Sequence, residues 1–426
     1  MSTSTKNREI VAIARQRVVS ATKAERTSID TGLRFLCTLA EALHVYGTSA
    51  DRLEDALHMC AARLGLDAQF FALPTCINVS VNTRRGAESR MIRVEYCELN
   101  LDKLDRVDNV MKKLLRGEIG PDTAISKIRD IRAARSCYPD SLRIVGFAIA
   151  ASLVARLFDG GSREVVLTAI TSLLVGATSC FLSGRARFRP LANVFSAALA
   201  SVVTFSVLKD EVEAAYLTIV ASLILLMPGL KVTIAMRELA TQHLTAGTTR
   251  MVSAIGHLLA LALGVAMGKQ VAKVLDINVL LPEFWDMPSY SLLLAIGLSP
   301  LSFLVDYQVR LRDLPIVAVG CFLAFFSARW GSSYAGPELG AFFGATVVGI
   351  ASNVFSKTFD RSSSLMLIPG VTLLVPGSVG FRSVLALLDH DALSGVEAGF
   401  TMVLVGTALG SGLIVSNIVV TPRRAL

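Results

Sequence analysis

From residue 140 onward the chain consists largely of long apolar stretches, each near the length a helix needs to cross a hydrocarbon core. A span takes about 20 mostly apolar residues, because each adds about 1.5 Å across about 30 Å of lipid. Ten stretches come close to that length: 141–158, 164–184, 190–208, 213–233, 248–268, 289–305, 313–329, 336–356, 364–387 and 396–420. Charged residues make up only 18% of the chain, against about 25% in soluble proteins. From Ile144 onward they sit in short clusters between apolar runs, so the solvent for this region is lipid.

The first 136 residues are instead dense in Arg, Lys, Asp and Glu, as a water-exposed domain requires. The amino terminus carries Lys6, Arg8, Arg15 and Arg17 without the apolar core of a signal peptide, so this domain is expected to stay in the cytoplasm. Apolar residues at helical spacing predict helices over 31–47 and 49–66, with Ser49 as an amino-terminal cap. Stretches 69–81 and 89–99, rich in β-branched and aromatic residues and joined by TRRGAE, predict strands. Helices near 101–116 and 121–135 complete a small α+β domain over 29–138, preceded by a flexible segment 1–28. Cys37, Cys60, Cys76, Cys97, Cys137, Cys180 and Cys321 contain no CxxC pair and read as reduced structural thiols.

The net charge of +8 does not form a stripe with interleaved aromatics, which argues against nucleic acid as a partner. Arg185, Arg187 and Arg189, Arg237 and Arg250, Arg310 and Arg312, and Lys357 and Arg361 fall instead in alternate connections, and the tail adds Arg423 and Arg424. The other connections hold Asp159, Asp210, Glu211, Glu213, Asp276, Glu283, Asp286, Asp389 and Asp391. By the positive-inside rule both termini are cytoplasmic. The longest external connection, 274–288, carries Trp285 near the membrane surface and is the natural joint between two halves. The membrane region divides into 139–270, an external linker 271–288, 289–421 and a tail 422–426.

LMPGLKVT at 226–233 recurs as LIPGVTLL at 367–374, each in the fourth helix of its own set of five. Two tandem sets of five must lie in opposite orientations, and the fold class expected is a polytopic α-helical membrane protein with two inverted five-helix repeats. Many secondary transporters build a midplane site in this way. Proline removes a backbone donor and glycine weakens a helix, so Pro228-Gly229 and Pro369-Gly370 read as helix breaks lining a wet cavity. The alternative at each is a simple proline kink.

Polar groups follow the two motifs: Lys231, Thr233, Arg237 and Glu238, then Thr372, Pro376, Gly377, Ser378 and Arg382. Half-helix amino ends there could hold a carboxylate. Substrate-binding candidates are thus Pro228, Gly229, Thr233, Pro369, Gly370, Thr372, Pro376, Gly377, Ser378 and Arg382. Glu238 and His257 are the candidates for proton coupling, with interfacial charge and helix-to-helix hydrogen bonding as the plain alternatives. Asn193, Asn353 and Asn417 read as interhelical hydrogen bonders, and Gly336, Gly340, Gly344, Gly406 and Gly410 as packing faces that permit a homo-oligomer. The chain has no HExxH, GxSxG or phosphate-loop motif, and His58 and Cys60 do not share a helix face. No catalytic residue, metal or cofactor is therefore expected, although an enzyme or sensor in the first domain is a competing reading.

GTSADRLEDALHMCAARLGLDAQFFALPT (47–75), ILLMPGLKVTIAMRELATQHLTAGTTRMVSAIGHLLALALGVAMG (224–268) and LMLIPGVTLLVPGSVGFRSVLALL (365–388) occur in this order. On these stretches the chain resembles the threonine/serine exporter family, in its fused single-chain form, from about residue 31 to the end. The resemblance implies a cytoplasmic domain, ten spans in two halves, and proton-motive-force-driven export of small hydroxy amino acids across a bacterial inner membrane. Split relatives are linked to dicarboxylate export, for example of succinate. Carried over by position, the resemblance favours Pro228, Gly229, Thr233, Glu238, Leu239, Pro369, Gly370, Pro376, Gly377, Ser378, Gly380, Phe381 and Arg382. Some relatives have Asn and Asp where this chain has Ile234 and Glu238.

Overall fold

A computed structural model describes residues 29–83, 86–94, 99–185, 187–209, 211–276, 279, 287–288, 290–375 and 377–421, with only the backbone given at 335. Asp210, Cys97, Trp285, Pro376, most of the linker and both terminal segments lie outside the described residues. The chain forms two compact units, one over residues up to 97 and 106–134, the other over 98–105 and 135–424.

The first unit contains α1 (29–45), α2 (Ala50–Arg63), β1 (Asp67–Leu73), β2 (Cys76–Thr83), β3 (Gly86–Arg93), most of α3 (Leu101–Leu115) and α4 (Pro121–Ala133). The apolar spacing seen in the sequence puts Leu36, Leu39 and Leu43 of α1, and Leu53 and Leu57 of α2, at full burial. Each contributes about 2 kcal/mol of hydrophobic stabilisation. The stretch 69–81, expected as one strand, is instead a hairpin: β1 and β2 pair antiparallel from Asp67 opposite Asn82 to Leu73 opposite Cys76. Pro74-Thr75 makes the turn, and proline's fixed φ suits that position. Ala68, Phe70, Ala72, Ile77, Val79 and Val81 alternate inward, whereas β3 is a polar edge. His58 packs edge-on against Phe70 at 4.8 Å, and Cys60 is fully buried. Burial pushes the Cys60 thiol up to about 12, as for an inert structural cysteine. The six described cysteines are unpaired; Cys60 and Cys321 are buried as structural thiols, whereas Cys137 and Cys180 are exposed.

The second unit is helical. Its elements are α5 (Asp140–Leu157), α6 (Ser162–Ser183), α7 (Ala192–Val207), α8 (Val212–Ser222), α9 (Gly229–Ala240), α10 (Leu244–Leu275) and α11 (Ser291–Asp306). There follow α12 (Leu314–Phe359), α13 (Ser364–Leu374), α14 (Gly377–Leu388) and α15 (Ala392–Val419). Every apolar stretch expected to span is helical, whole or broken. By length and composition seven helices among the described residues can cross a membrane, or eight if α8 and the bent segment after it count as one. The expected ten exceeds this because α5 carries Asp140, Arg143 and Arg156 in its 18 residues, and α11 has only 16 residues. Within α12, Gly336 adopts φ +87°, which glycine alone takes without strain. A Cβ built on Gly331 would lie 3.0 Å from the Gly340 Cα, so the two arms of α12 fold back against each other.

This unit is apolar outside and hydroxylated inside. Val252, Leu259, Leu263, Leu293, Phe326 and Phe400 are exposed, whereas Thr168, Thr171, Ser196, Ser201, Thr218 and Ser222 are fully buried. A surface of that kind is stable against lipid and not against water. The Ser201 hydroxyl donates to the Val265 carbonyl at 2.8 Å, joining α7 to α10.

Candidate functional site

Among the described residues two helices of the second unit are interrupted ahead of a Pro-Gly pair. The first bends by 53° after Ser222 and runs through a tight turn, Ile224–Leu226, before Met227, whereas the second breaks only after Leu374. Met227 and Val375 each precede a proline in the sequence and each is extended, with φ/ψ of −71°/134° and −69°/132°. The ring of a following proline disfavours the helical region, which is why the interruption falls there. α9 then begins at Gly229 and α14 at Gly377.

The two new helices start against each other. A Cβ built on Gly377 would lie 3.1 Å from the Gly229 Cα, and one built on Gly229 would lie 3.2 Å from the Gly377 Cα and N and would collide with Val375 Cγ1. Only glycines let two backbones approach so closely. The first turn of a helix presents backbone N–H groups without intrahelical partners and the positive end of the helix dipole. Two such ends meeting in one apolar unit create a place suited to an anion, a carboxylate in particular.

Around the first start, Thr233 is buried one turn into α9, with Oγ1 3.5 Å from the Gly229 carbonyl. Lys231, half-buried, brings Nζ to 3.5 Å from His257 Nε2 of α10, and His257 Nδ1 lies 2.9 Å from the Ser253 carbonyl. Glu238 is fully buried and accepts from Arg250 twice at 3.0 Å, from Nε and from Nη2. A bidentate pair of this geometry fixes the carboxylate in place.

The second half corrects the sequence reading. Pro369 and Gly370 lie inside continuous α13 and do not break it. A Cβ on Gly370 would lie 2.8 Å from the Gly320 carbonyl and 2.7 Å from Val348 Cγ2, so this glycine serves close packing against α12, which carries the helix through. The break lies at the Pro-Gly pair seven residues later, just before Gly377, and the repeat is better read as LLMPG at 225–229 against LLVPG at 373–377. Thr372 donates to the Ile368 carbonyl at 2.7 Å and accepts from the Tyr307 hydroxyl at 2.9 Å. Ser378 is half-buried in the first turn of α14. Arg382 is exposed, with its guanidinium 4.9 Å from the Phe158 ring. Phe381 is fully buried among residues of α8, α9 and α10, and a Cβ on Gly380 would collide with Met402 Sδ.

Asn353, Asn417, Gly340, Gly344, Gly406 and Gly410 pack between helices as expected, whereas Gly336 serves the turn within α12 instead. Asn353 Nδ2 donates to Asn417 Oδ1 at 3.0 Å, and a Cβ on Gly410 would lie 3.2 Å from the Arg237 backbone N. The sequence reading did not single out Tyr307, the Lys269–Tyr216–Asp389 contact, or Asp306. Lys269 Nζ donates to Tyr216 Oη at 2.8 Å and to Asp389 Oδ1 at 3.0 Å, and Tyr216 also donates to Asp389. That contact joins α8 and α10 to the turn after α14. Its one sequence signal is the charge pair Lys269 and Asp389, which are 120 residues apart.

Residues 34–272 match the family model described as "Putative threonine/serine exporter", and residues 293–419 match a second, "Threonine/Serine exporter, ThrE". The chain belongs to the threonine/serine exporter family. It is also similar to fungal proteins named Pheromone-regulated membrane protein 10. That of Eremothecium gossypii is 26% identical over 91% of this chain and 56% of the relative. That of Saccharomyces cerevisiae is 25% identical over 91% and 54%. The chain spans about half the length of these relatives. No solved structure matches the chain.

Proposed function

We propose that this family member is a secondary transporter that exports small hydroxy amino acids, threonine and serine, across a cytoplasmic membrane by alternating access. The observation that carries this reading is the meeting of the α9 and α14 amino ends at Gly229 and Gly377. Their amides and dipoles would hold the substrate carboxylate, with Thr233, Thr372 and Ser378 reading its polar groups. We take the membrane unit as ten spans in two inverted halves, α5–α10 and α11–α15, with α8 and α9 forming one broken span, α13 and α14 another, and α12 two spans turned at Gly336. The repeated LLxPG supports that pairing. Both termini would be cytoplasmic, on the distribution of arginines. Coupling to the proton motive force is part of the proposal, with no direct use of ATP. The fungal relatives give no reason to restrict the membrane to a bacterial one.

Lys231 and His257, beside the first break, favour a second reading: a further cationic group would suit a second carboxylate, as in succinate. Counterflow of labelled threonine, serine and succinate in liposomes containing the purified chain separates the two. Threonine and serine should exchange and succinate should not compete; exchange of succinate alone would replace the first reading by the second. Failure of all three to exchange would remove both.

A further inference from the structure

We propose that Asp306 is the carboxyl that takes up and releases the coupled proton, because it is a covered acid without a hydrogen-bond donor on Oδ2, set beside the residue that holds Thr372. The inference rests on the proton-coupled reading above and supplies the group that reading needs. Glu238 is a fully buried acid in α9, after the first break, and it is held twice by Arg250. A carboxylate gripped by a guanidinium in an apolar setting has little occasion to exchange a proton during a cycle. Asp306 is different: its Oδ2 is sealed from solvent and accepts no hydrogen bond among the described residues.

Asp306 ends α11, where the last carbonyls of the helix give a negative field that a protonated carboxyl tolerates better than an ionised one. α5 packs along α11: a Cβ on Gly146 would lie 3.0 Å from the Val305 side chain, and at the other end Arg156 Nε donates to Ser291 at 2.8 Å. The charged group that faces Asp306 from α5 is Arg143, itself 3.3 Å from Asp140. Toward α12 the nearest acid in the chain is Asp313, held by Arg361 at 3.1 Å. The next residue, Tyr307, stacks on Phe303 at 5.5 Å and donates its hydroxyl to Thr372 of α13, three residues before Val375.

The chemistry is a single balanced step. A proton from water on one side forms an O–H bond on the Asp306 carboxylate and cancels its charge, and the same proton leaves to water on the other side. The change of charge at the end of α11 would shift Tyr307 and, through it, the segment that leads into the second break.

The test uses two readouts on the full chain in liposomes. Infrared difference spectra between about pH 5 and about pH 9 should show a protonated-carboxyl band that disappears in Asp306→Asn and moves in Asp306→Glu. Asp306→Asn should keep threonine and serine counterflow within about threefold while losing its response to a pH gradient, and Glu238→Gln, if it folds, should keep that response. A band that survives in Asp306→Asn, or full gradient-driven transport by that variant, overturns the proposal. If Asp306→Asn does not fold, an Asp306→Glu spectrum identical to wild type overturns it equally. Absence of amino-acid counterflow in the wild type would instead remove the functional reading, while the infrared band would still decide whether Asp306 binds a proton.

Discussion

Gly229 and Gly377 lie 148 positions apart in the sequence and touch backbone to backbone, each as the first residue of a helix that follows a proline-induced interruption. The contact is possible because neither has a side chain, and it brings two positive helix ends to one point.

Gly229→Ala should therefore lower counterflow by at least about tenfold and destabilise the protein by about 1–3 kcal/mol, because the added methyl must displace Val375 and the Gly377 backbone. Gly256→Ala is the control. Nothing lies within 4 Å of a Cβ there, and alanine favours a helix over glycine by about 1 kcal/mol, so this variant should be neutral or slightly more stable. Thermal unfolding in detergent beside counterflow in liposomes checks both; wild-type transport by Gly229→Ala would show that the close approach is not needed.

Glu238 and Arg250 form a buried pair, and removing either one takes a bidentate charged partner from the other. Glu238→Gln or Arg250→Gln should each lower stability by about 3–5 kcal/mol, and the double variant should be less damaged than the sum of the two. A denaturant series on the four proteins measures the coupling; additive losses would mean that the pair is not a unit.

The ten apolar stretches were legible because helix length against bilayer thickness is a strong constraint, and all of them are helical. The position of the second break was not. Both Pro369-Gly370 and Pro376-Gly377 were visible in the sequence, and composition alone gave no reason to prefer either. Packing decides between them: Gly370 is pressed onto Gly320 in a continuous helix, whereas Val375 goes extended before Pro376. A stricter comparison, LLMPG with LLVPG, would have found the pair. The β1–β2 hairpin was missed although Pro74 marks its turn, because the β-branched run continues on both sides of it. Asp306 was missed because an acid at the end of an apolar run looks like an interfacial charge, and only the structure shows that its Oδ2 is covered.

In the first unit, Cys60 makes a prediction with a definite pH window. Its folded-state value, near 12, lies above the ordinary 9.0, so the folded state binds this proton more tightly than the unfolded one. The contribution is intact below about pH 9 and is lost as pH rises toward about 12, by several kcal/mol at the top of that range. Cys60→Ala should flatten that part of the alkaline unfolding curve. Maleimide should leave Cys60 unmodified in the folded chain at about pH 8 and label it after denaturation. Rapid labelling of the folded chain at that position would contradict its burial.

The Lys269–Asp389–Tyr216 contact joins α8 and α10 to the turn after α14, and in an alternating-access cycle it would have to open whenever the two halves separate on that face. Its members are partly exposed, with Lys269 and Asp389 side chains at 38% and 43%, so the ion pair should be worth no more than about 1 kcal/mol of stability. Asp389→Asn should thus leave unfolding nearly unchanged while raising access to the break. The probe is Ser222→Cys in a background with Cys137→Ala and Cys180→Ala, since Ser222 is fully buried just before the first interruption and both of those cysteines are exposed. A membrane-impermeant maleimide applied on the Asp389 side should label this cysteine several-fold faster in Asp389→Asn. High salt should move the wild type the same way, because screening weakens an exposed pair. Equal labelling with and without Asp389, at low and high salt, would leave the contact as a surface tie with no part in gating.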